Sequence, residues 1–268
     1  MHLEFKGIDI APLNIWINRK KNSDQATIPL DFKGSLNGKI LLTNVYKNLL
    51  LAGNITVKNF SILGSEFGNI SINSNLDNSK KVVNILASNN LNSKKMFDVS
   101  GTYDPAAKKI DLDAIATKLP IGFLNPLLKV FASEITGSAT CRLRLSGETS
   151  DLSGETSTLF LTGAAMVENA SMKINYLQTT YKLNDTIRLD RKGIKFNNVR
   201  ITDLDGSTAT LSGSVNHTNF HSYIADLIIN IKPNPFQVLN TQLKDNPMFY
   251  GTAYATGVAI IKSDQNSL

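Results

Sequence analysis

From Ala170 to Val215 the chain alternates apolar and polar residues almost without interruption. Ala170, Met172, Ile174 and Tyr176 alternate with Ser171, Lys173 and Asn175; Ile187 and Leu189 with Arg188 and Asp190; Ala209, Leu211 and Val215 with Thr208, Thr210 and Ser214. A period of two puts successive side chains on opposite faces of a strand, one face apolar and one wet. Asn184-Asp185, Lys192-Gly193 and Asp205-Gly206 are residue pairs of the turn-forming type. The stretch therefore reads as a run of short strands joined by tight turns.

The same text fills most of the chain. Strands are predicted over Ile28 to Ala116, with Asn37-Gly38, Asn78-Ser79 and Asp104-Pro105 as turns and Gly34 as a bulge. They resume from Ser138, where Gly137, Gly147, Gly154 and Gly163 punctuate the pattern. A strand over Tyr223 to Lys232 is expected to end at Pro233-Asn234-Pro235, with residues 236–247 as loop and Phe249 to Ile261 as a last strand pair. Near the N-terminus, Pro12 ends a strand or starts a short helical turn, and Asn18 to Gln25 reads as a polar loop. Residues 119–135 differ: Ile121, Leu124, Leu127, Leu128 and Phe131 recur at helical spacing, and Pro126 suits a first turn. This short amphipathic helix is expected either to cap the apolar end of a sheet or to touch lipid or a partner. The tally is about seventeen or eighteen strands and one helix. Parallel strands need long crossovers, usually helical, and none are present, so the fold class is all-β and antiparallel.

Composition narrows what the apolar face is made of. Aromatic residues are only 7% of the 268, with Trp16 the single tryptophan, so the face is aliphatic. Twenty-eight basic against 22 acidic residues give a net charge of +6, but the cations are spread along the strands. A nucleic-acid interface would cluster them with aromatics, so nucleic acid is not an expected partner. Scattered strand lysines fit protection of sheet edges, with a mild attraction to anionic surfaces. The single cysteine, Cys141, lies on the apolar side of its strand and has no partner for a disulfide or a zinc site. The first residues, MHLEFKGIDI, do not have the layout of a signal peptide, and no run reaches the ~18 apolar residues of a membrane span. They read as mid-strand, as expected of a piece of a longer polypeptide.

At a strand spacing of about 4.8 Å, some eighteen strands in one sheet would extend about 85 Å. A sheet beyond about ten strands must curl, split into two packed sheets or close into a barrel. A membrane barrel calls for aromatic girdles, and the aromatics here are few. A two-sheet sandwich would bury both inner faces. An elongated, curled antiparallel sheet would instead leave an apolar groove, and an exposed apolar surface of that size needs something to hold, such as acyl chains or nascent hydrophobic strands. The residues expected to line it are Leu143, Leu145, Met172, Ile174, Ile187, Leu189, Leu211, Val215, Leu227 and Ile229.

No catalytic pattern interrupts the strands. GxSxG, GxGxxG, P-loop and HExxH motifs are absent, so an enzyme reading has no residue to rest on, and no cofactor is expected. His217 and His221 have the spacing of two metal ligands on a helix but flank a turn. Asp203-Leu204-Asp205-Gly206 resembles the start of a calcium loop without its later glutamate and reads as a hairpin turn.

Three segments, ITGSATCRLRLSG, ENASMKINYLQTTYKLNDTIRLDRKGIKFNNVRITDLDGSTATLSGSV and KDNPMFYGTAYATGVAII, resemble the TamB family of the AsmA-like group. FDVSGTYDPAAKKIDLDAIATKLPIGFLNPLLKVFASEI resembles the segment leading into them, so the likeness covers Phe97 to Ile261 well and the earlier chain more loosely. The resemblance implies a β-groove divided into a looser N-terminal part (1–118), a short helix (119–135) and a TamB-like part (136–268). It implies a location in the periplasm, with the parent protein anchored in the inner membrane through a segment absent here. It further implies carriage of phospholipid acyl chains between inner and outer membranes in outer-membrane biogenesis. The alternative is an assembly factor for outer-membrane or autotransporter proteins, acting with a BamA-like barrel. The chain departs from the family in lacking an anchor helix at its N-terminus.

Overall fold

The computed structural model describes residues 2–19, 31–43, 50–129, 131–149, 158–217, 223–245 and 248–263. Among them are fourteen strands: β1 (His2–Asp9), β2 (Phe32–Thr43), β3 (Leu50–Ile62), β4 (Ser65–Asp77), β5 (Val82–Asn90), β6 (Phe97–Asp104), β7 (Lys109–Pro120), β8 (Ala132–Glu148), β9 (Thr158–Ile174), β10 (Thr179–Asp190), β11 (Gly193–Thr202), β12 (Thr208–His217), β13 (Tyr223–Thr241) and β14 (Gly251–Lys262). Each strand lies beside its neighbours in sequence, so the order in the sheet is the order in the chain and the sheet does not close on itself. The all-β antiparallel class is as expected.

The count of seventeen or eighteen strands is corrected to fourteen among the described residues, because several expected breaks lie inside strands. Asn37-Gly38 is mid-strand in β2, with Gly38 opposite Ile55. Asn184-Asp185 sits inside β10. Pro233-Asn234-Pro235 does not end β13, which continues to Thr241, so residues 236–241 are strand rather than loop. The prolines occupy a register shift between Ile231 and Phe236, where a missing N–H breaks no ladder bond. Gly34 does sit at a bulge, between Lys33 and Ser35. The turns at Asn78-Ser79, Asp104-Pro105 and Asp205-Gly206 are found as expected, and the expected turn pair Lys192-Gly193 falls at the β10–β11 turn.

Helix α1 (Pro12–Arg19) takes the helical option at Pro12. Its start is shaped by the Asp9 carboxylate accepting from Ala11 N–H, and Asn14 ties it to β2 by a reciprocal pair of 2.8 Å bonds with the Phe32 backbone. Asn18 and Arg19 belong to α1, and the rest of the expected polar loop lies outside the described residues. The expected helix over 119–135 is much shorter: a 3-10 turn at Gly122–Leu124 followed by α2 (Asn125–Leu128). Strands β7 and β8 claim the flanks.

The chain forms two compact units. The first comprises Met1–Thr117 with Arg142–Phe160, the second Lys118–Cys141 with Leu161–Leu268. In the first, Phe5, Gly38, Ile55, Ile72, Ala87, Val99 and Ala114 stand opposite one another in turn across β1 to β7. One residue along, Glu4, Lys39, Asn54, Asn73, Leu86, Ser100 and Asp113 form the adjoining row on the other face. The alternation in sequence thus becomes one aliphatic and one polar face. Phe32, Phe60, Phe67 and Phe97 form an aromatic chain at one end of this unit, with ring centroids 6.1–6.4 Å apart. There the buried Asn89 donates to Phe67 O and accepts from the Met96 and Phe97 amides, so its polar groups are satisfied.

In the second unit the core gathers around Phe236, Ile231 and Val199, each 1% exposed, with Val167, Ala170, Leu183, Ile201 and Ala209.

Candidate functional site

Eight of the ten expected lining residues lie in the second unit, and the strand registers place them on one face. Leu189 stands opposite Ile194, Ile194 opposite Val215 and Val215 opposite Ala225. A second row runs Val199, Leu211, Ile229 and Ala259, and a third Phe196, Gly213, Leu227 and Ile261. Met172 faces Tyr181, Ile174 faces Thr179 and Ile187 faces Ala165. All eight are half-buried. Leu143 and Leu145 sit in the part of β8 that belongs to the first unit, also half-buried, while their neighbours Arg142 and Arg144 are exposed.

Bulges keep this face continuous. One extra residue in β9 near Asn169 and one in β11 near Asn198 shift the ladders beside β10 and β12. Both asparagines adopt positive φ, near 50°, a conformation asparagine tolerates better than most residues. At Asn198 the displaced amide donates to Ser212 Oγ, and that hydroxyl donates back to Asn198 Oδ1 at 2.9 Å. Without such bulges the alternation would carry the apolar side chains beyond them to the opposite face. Gly213 leaves a gap in the lining because it must: a Cβ there would lie 2.1 Å from Asp226 O on β13.

The face is fully buried at one end and half-buried along the rest. Beyond Pro235, β13 folds past the β11–β12 turn to reach β10, where Phe236 stacks on Tyr181 at 5.1 Å. Tyr181 donates its hydroxyl to Gln237 O, and Asn240 N–H donates to Leu177 O. Burial pushes the Tyr181 hydroxyl above the usual tyrosine range. Ile121 packs against the same cluster. Asn125 fastens the short helix to β8, donating to Ile135 O and accepting from Ile135 N–H at 2.7 Å. The short helix is thus tied to β8 at Ile135, and Ile121 just before it joins the packed cluster. Phe236, Tyr181 and Ile121 were not among the expected site residues, and it is they that close this end.

The opposite face of this unit is polar across β10 to β12, while β13 and β14 add the exposed Ile228, Val258 and Ile260 to it. Thr180, Lys182, Arg188, Lys195, Arg200, Thr210 and Ser214 occupy the alternate positions of β10 to β12. In the first unit, Arg144 grips Asp111 through two hydrogen bonds, Nε to Oδ1 and Nη2 to Oδ2, which holds the carboxyl below its ordinary range.

Of the two metal-like patterns, Asp203 to Gly206 resolves into the expected turn. Asp203 has both carboxylate oxygens engaged, Oδ1 by Ser207 N–H and Oδ2 by Gln237 N–H, and Asp205 accepts from the Tyr254 hydroxyl at 2.6 Å. His217 ends β12, its imidazole held below the usual histidine range by burial, and His221 lies outside the described residues. Among the described residues no three His, Cys, Asp or Glu side chains are grouped to hold a metal. Cys141 is half-buried in β8. No helix of the described residues is long and apolar enough to cross a membrane. Compared with family models, curated proteins and solved structures, the chain finds no match.

Proposed function

We propose that this chain is a non-enzymatic groove segment that carries phospholipid acyl chains along its apolar face, in the manner of the TamB-like proteins it resembles. In that reading it works in the periplasm as part of a parent protein anchored in the inner membrane, and it serves lipid supply to the outer membrane. The observation that carries the proposal is the half-buried aliphatic lining. Leu189, Val215, Leu211, Leu227 and Ile229 share one face with Met172, Ile174 and Ile187 but stay incompletely covered, in contrast to the packed end around Phe236. Aliphatic side chains with no hydrogen-bonding partners suit acyl chains, whose binding is driven by removal of apolar surface from water at about 0.8 kcal/mol per CH₂. Polar headgroups would remain at the rim.

The test is mass spectrometry of the natively purified protein together with a paired variant. Phospholipid should co-purify, and Ile174→Asp with Leu227→Asp should abolish it and raise outer-membrane permeability in the full-length parent. Absence of lipid from the native protein, with normal permeability in the paired variant, would end the proposal. Photocrosslinks from Leu227 to a barrel protein and none to lipid would move the reading to the assembly factor.

A further inference from the structure

Several cations on the strands are matched by a carboxylate. Lys109 pairs with Glu148, Arg144 with Asp111, Lys173 with Glu134 and Lys195 with Asp190. Arg200 on β11 and Lys232 on β13 are not: both are exposed, and neither has an ion-pair partner among the described residues. The strand registers bring the two together on the polar face of the second unit. Arg200 stands opposite Thr210 and Thr210 opposite Asn230, a row across three strands. At the usual strand spacing of about 4.8 Å, such a row spans about 10 Å. The β12–β13 ladder ends at the Thr210–Asn230 pair. Thr208 and Lys232, two residues further along their strands, flank the point where β13 turns away.

These five residues, with Ala209, line a cleft of about 280 Å³. Its walls are rich in hydrogen-bond donors. Arg200 offers a planar fork of N–H groups, Lys232 an ammonium, Thr208 and Thr210 hydroxyls, and Asn230 a carboxamide NH₂. Among the described residues, none of the five side chains has a hydrogen-bond partner. The Asp185 carboxylate lies beside Arg200, but it accepts from the Thr186 and Arg200 backbone amides, at 2.6 and 3.2 Å, and forms no ion pair with the guanidinium. A second cleft, in the first unit, is larger at about 640 Å³, yet the cation on its wall, Lys95, is paired with Asp98. Of the two clefts, only the smaller carries unpaired positive charge.

We propose that the cleft between Arg200 and Lys232 binds a phosphate group. Two cations and three neutral donors suit an anion with more than one charge and several acceptor oxygens. The guanidinium can hold two oxygens in parallel, the ammonium a third as a point charge, and the hydroxyls and carboxamide complete the shell. A carboxylate, with two oxygens and one charge, would leave donors unused. The five side chains are exposed or half-exposed, so binding is modest and weakened by salt. Free phosphate and the headgroup of an anionic phospholipid share this chemistry. The cleft lies on the face opposite the aliphatic lining, so the inference does not depend on carriage of acyl chains.

The experiment titrates the full chain with sodium phosphate at neutral pH, against sodium chloride at matched ionic strength, and follows backbone amide resonances and heat. Phosphate should give saturable shifts at Arg200, Thr208, Thr210, Asn230 and Lys232, and chloride should not. Arg200→Ala with Lys232→Ala should weaken binding about tenfold or more. The circular dichroism spectrum should stay unchanged, because both side chains are exposed. Lys80→Ala with Lys81→Ala removes the same charge from the exposed β4–β5 turn and should leave binding intact. Cosedimentation with phosphatidylcholine vesicles, with and without phosphatidylglycerol, identifies the source. Retention on the anionic vesicles that phosphate releases, and that the Arg200 and Lys232 variant loses, assigns a lipid headgroup. Phosphate binding without such retention assigns free phosphate. No saturable shift, a shift equalled by chloride, or binding that survives the paired alanines overturns the inference. So does an equal loss in the Lys80 and Lys81 variant, which would be the effect of net charge alone. Vesicle retention with no phosphate shift also overturns it and leaves acyl-chain carriage to its own test.

Discussion

Phe236 and Leu227 lie on the same strand and should answer very differently to truncation. Phe236 is 1% exposed, stacks on Tyr181 and packs among Val199, Ile201 and Ala209, whereas Leu227 is half-buried beside Gly213 and Ile261. Removing a fully buried phenylalanine leaves a cavity as well as losing its transfer free energy, so Phe236→Ala should cost about 3–5 kcal/mol. Leu227 is less completely buried, so its truncation leaves a smaller cavity and Leu227→Ala should cost less, about 1–2 kcal/mol. Urea unfolding followed by circular dichroism would read both as shifts of midpoint at constant slope. Equal costs at the two sites would mean that the rows beyond the packed end are a covered core, and the open apolar face on which the proposed function rests would have to be abandoned. A cost below 1 kcal/mol at Phe236 would instead show that β13 does not fold back over that end.

Gly213→Val should prevent β12 and β13 from pairing in their native register and cost several kcal/mol, since the new Cβ meets a backbone carbonyl, while Gly206→Ala, in open space at φ +86°, should cost about 1 kcal/mol; thermal unfolding separates them. Asn125→Ala removes three hydrogen bonds to the Gly122 and Ile135 backbone and should cost about 2–3 kcal/mol, visible as faster hydrogen exchange at Ile135. The depressed Asp111 carboxyl makes a contribution that is present above the ordinary carboxylate pKa and is lost as pH falls through its lower folded value. Both partners are about half exposed, so it amounts to at most about 1 kcal/mol, and Arg144→Ala should flatten stability against pH below the ordinary carboxylate range and leave the basic limb unchanged.

Much of the apolar face was legible because a period of two survives folding unchanged: Leu211, Val215, Leu227 and Ile229 come together simply by alternating on neighbouring strands. What could not be read locally was where a strand ends. Asn37-Gly38 has the residues of a tight turn, yet Gly38 is there because a Cβ would lie 2.1 Å from Asn54 O, a constraint imposed by β3 and invisible in its own neighbourhood. The prolines of β13 signal a stop by propensity, and pairing on either side with β14 carries the strand through. The helical spacing over 119–135 shortened to a 3-10 turn and one α-helical turn for the same reason, since β8 gains more from pairing than from helix. Phe236 was missed as a site residue because its partner Tyr181 is 55 positions away in sequence, and no periodicity reports such a contact.

The order β1 to β14 in the sheet means that every pairing joins strands consecutive in the chain. Loop-closure entropy is then met one connection at a time, the longest being the one that holds α1 between β1 and β2, with no distant strand to wait for. Folding can start at any hairpin and zip outward, and each new strand finds its register from the one before it, as in a repeat array. A chain organised in this way can gain or lose a hairpin at either end during evolution without rebuilding what lies between, so its reach is set by how many hairpins are strung together.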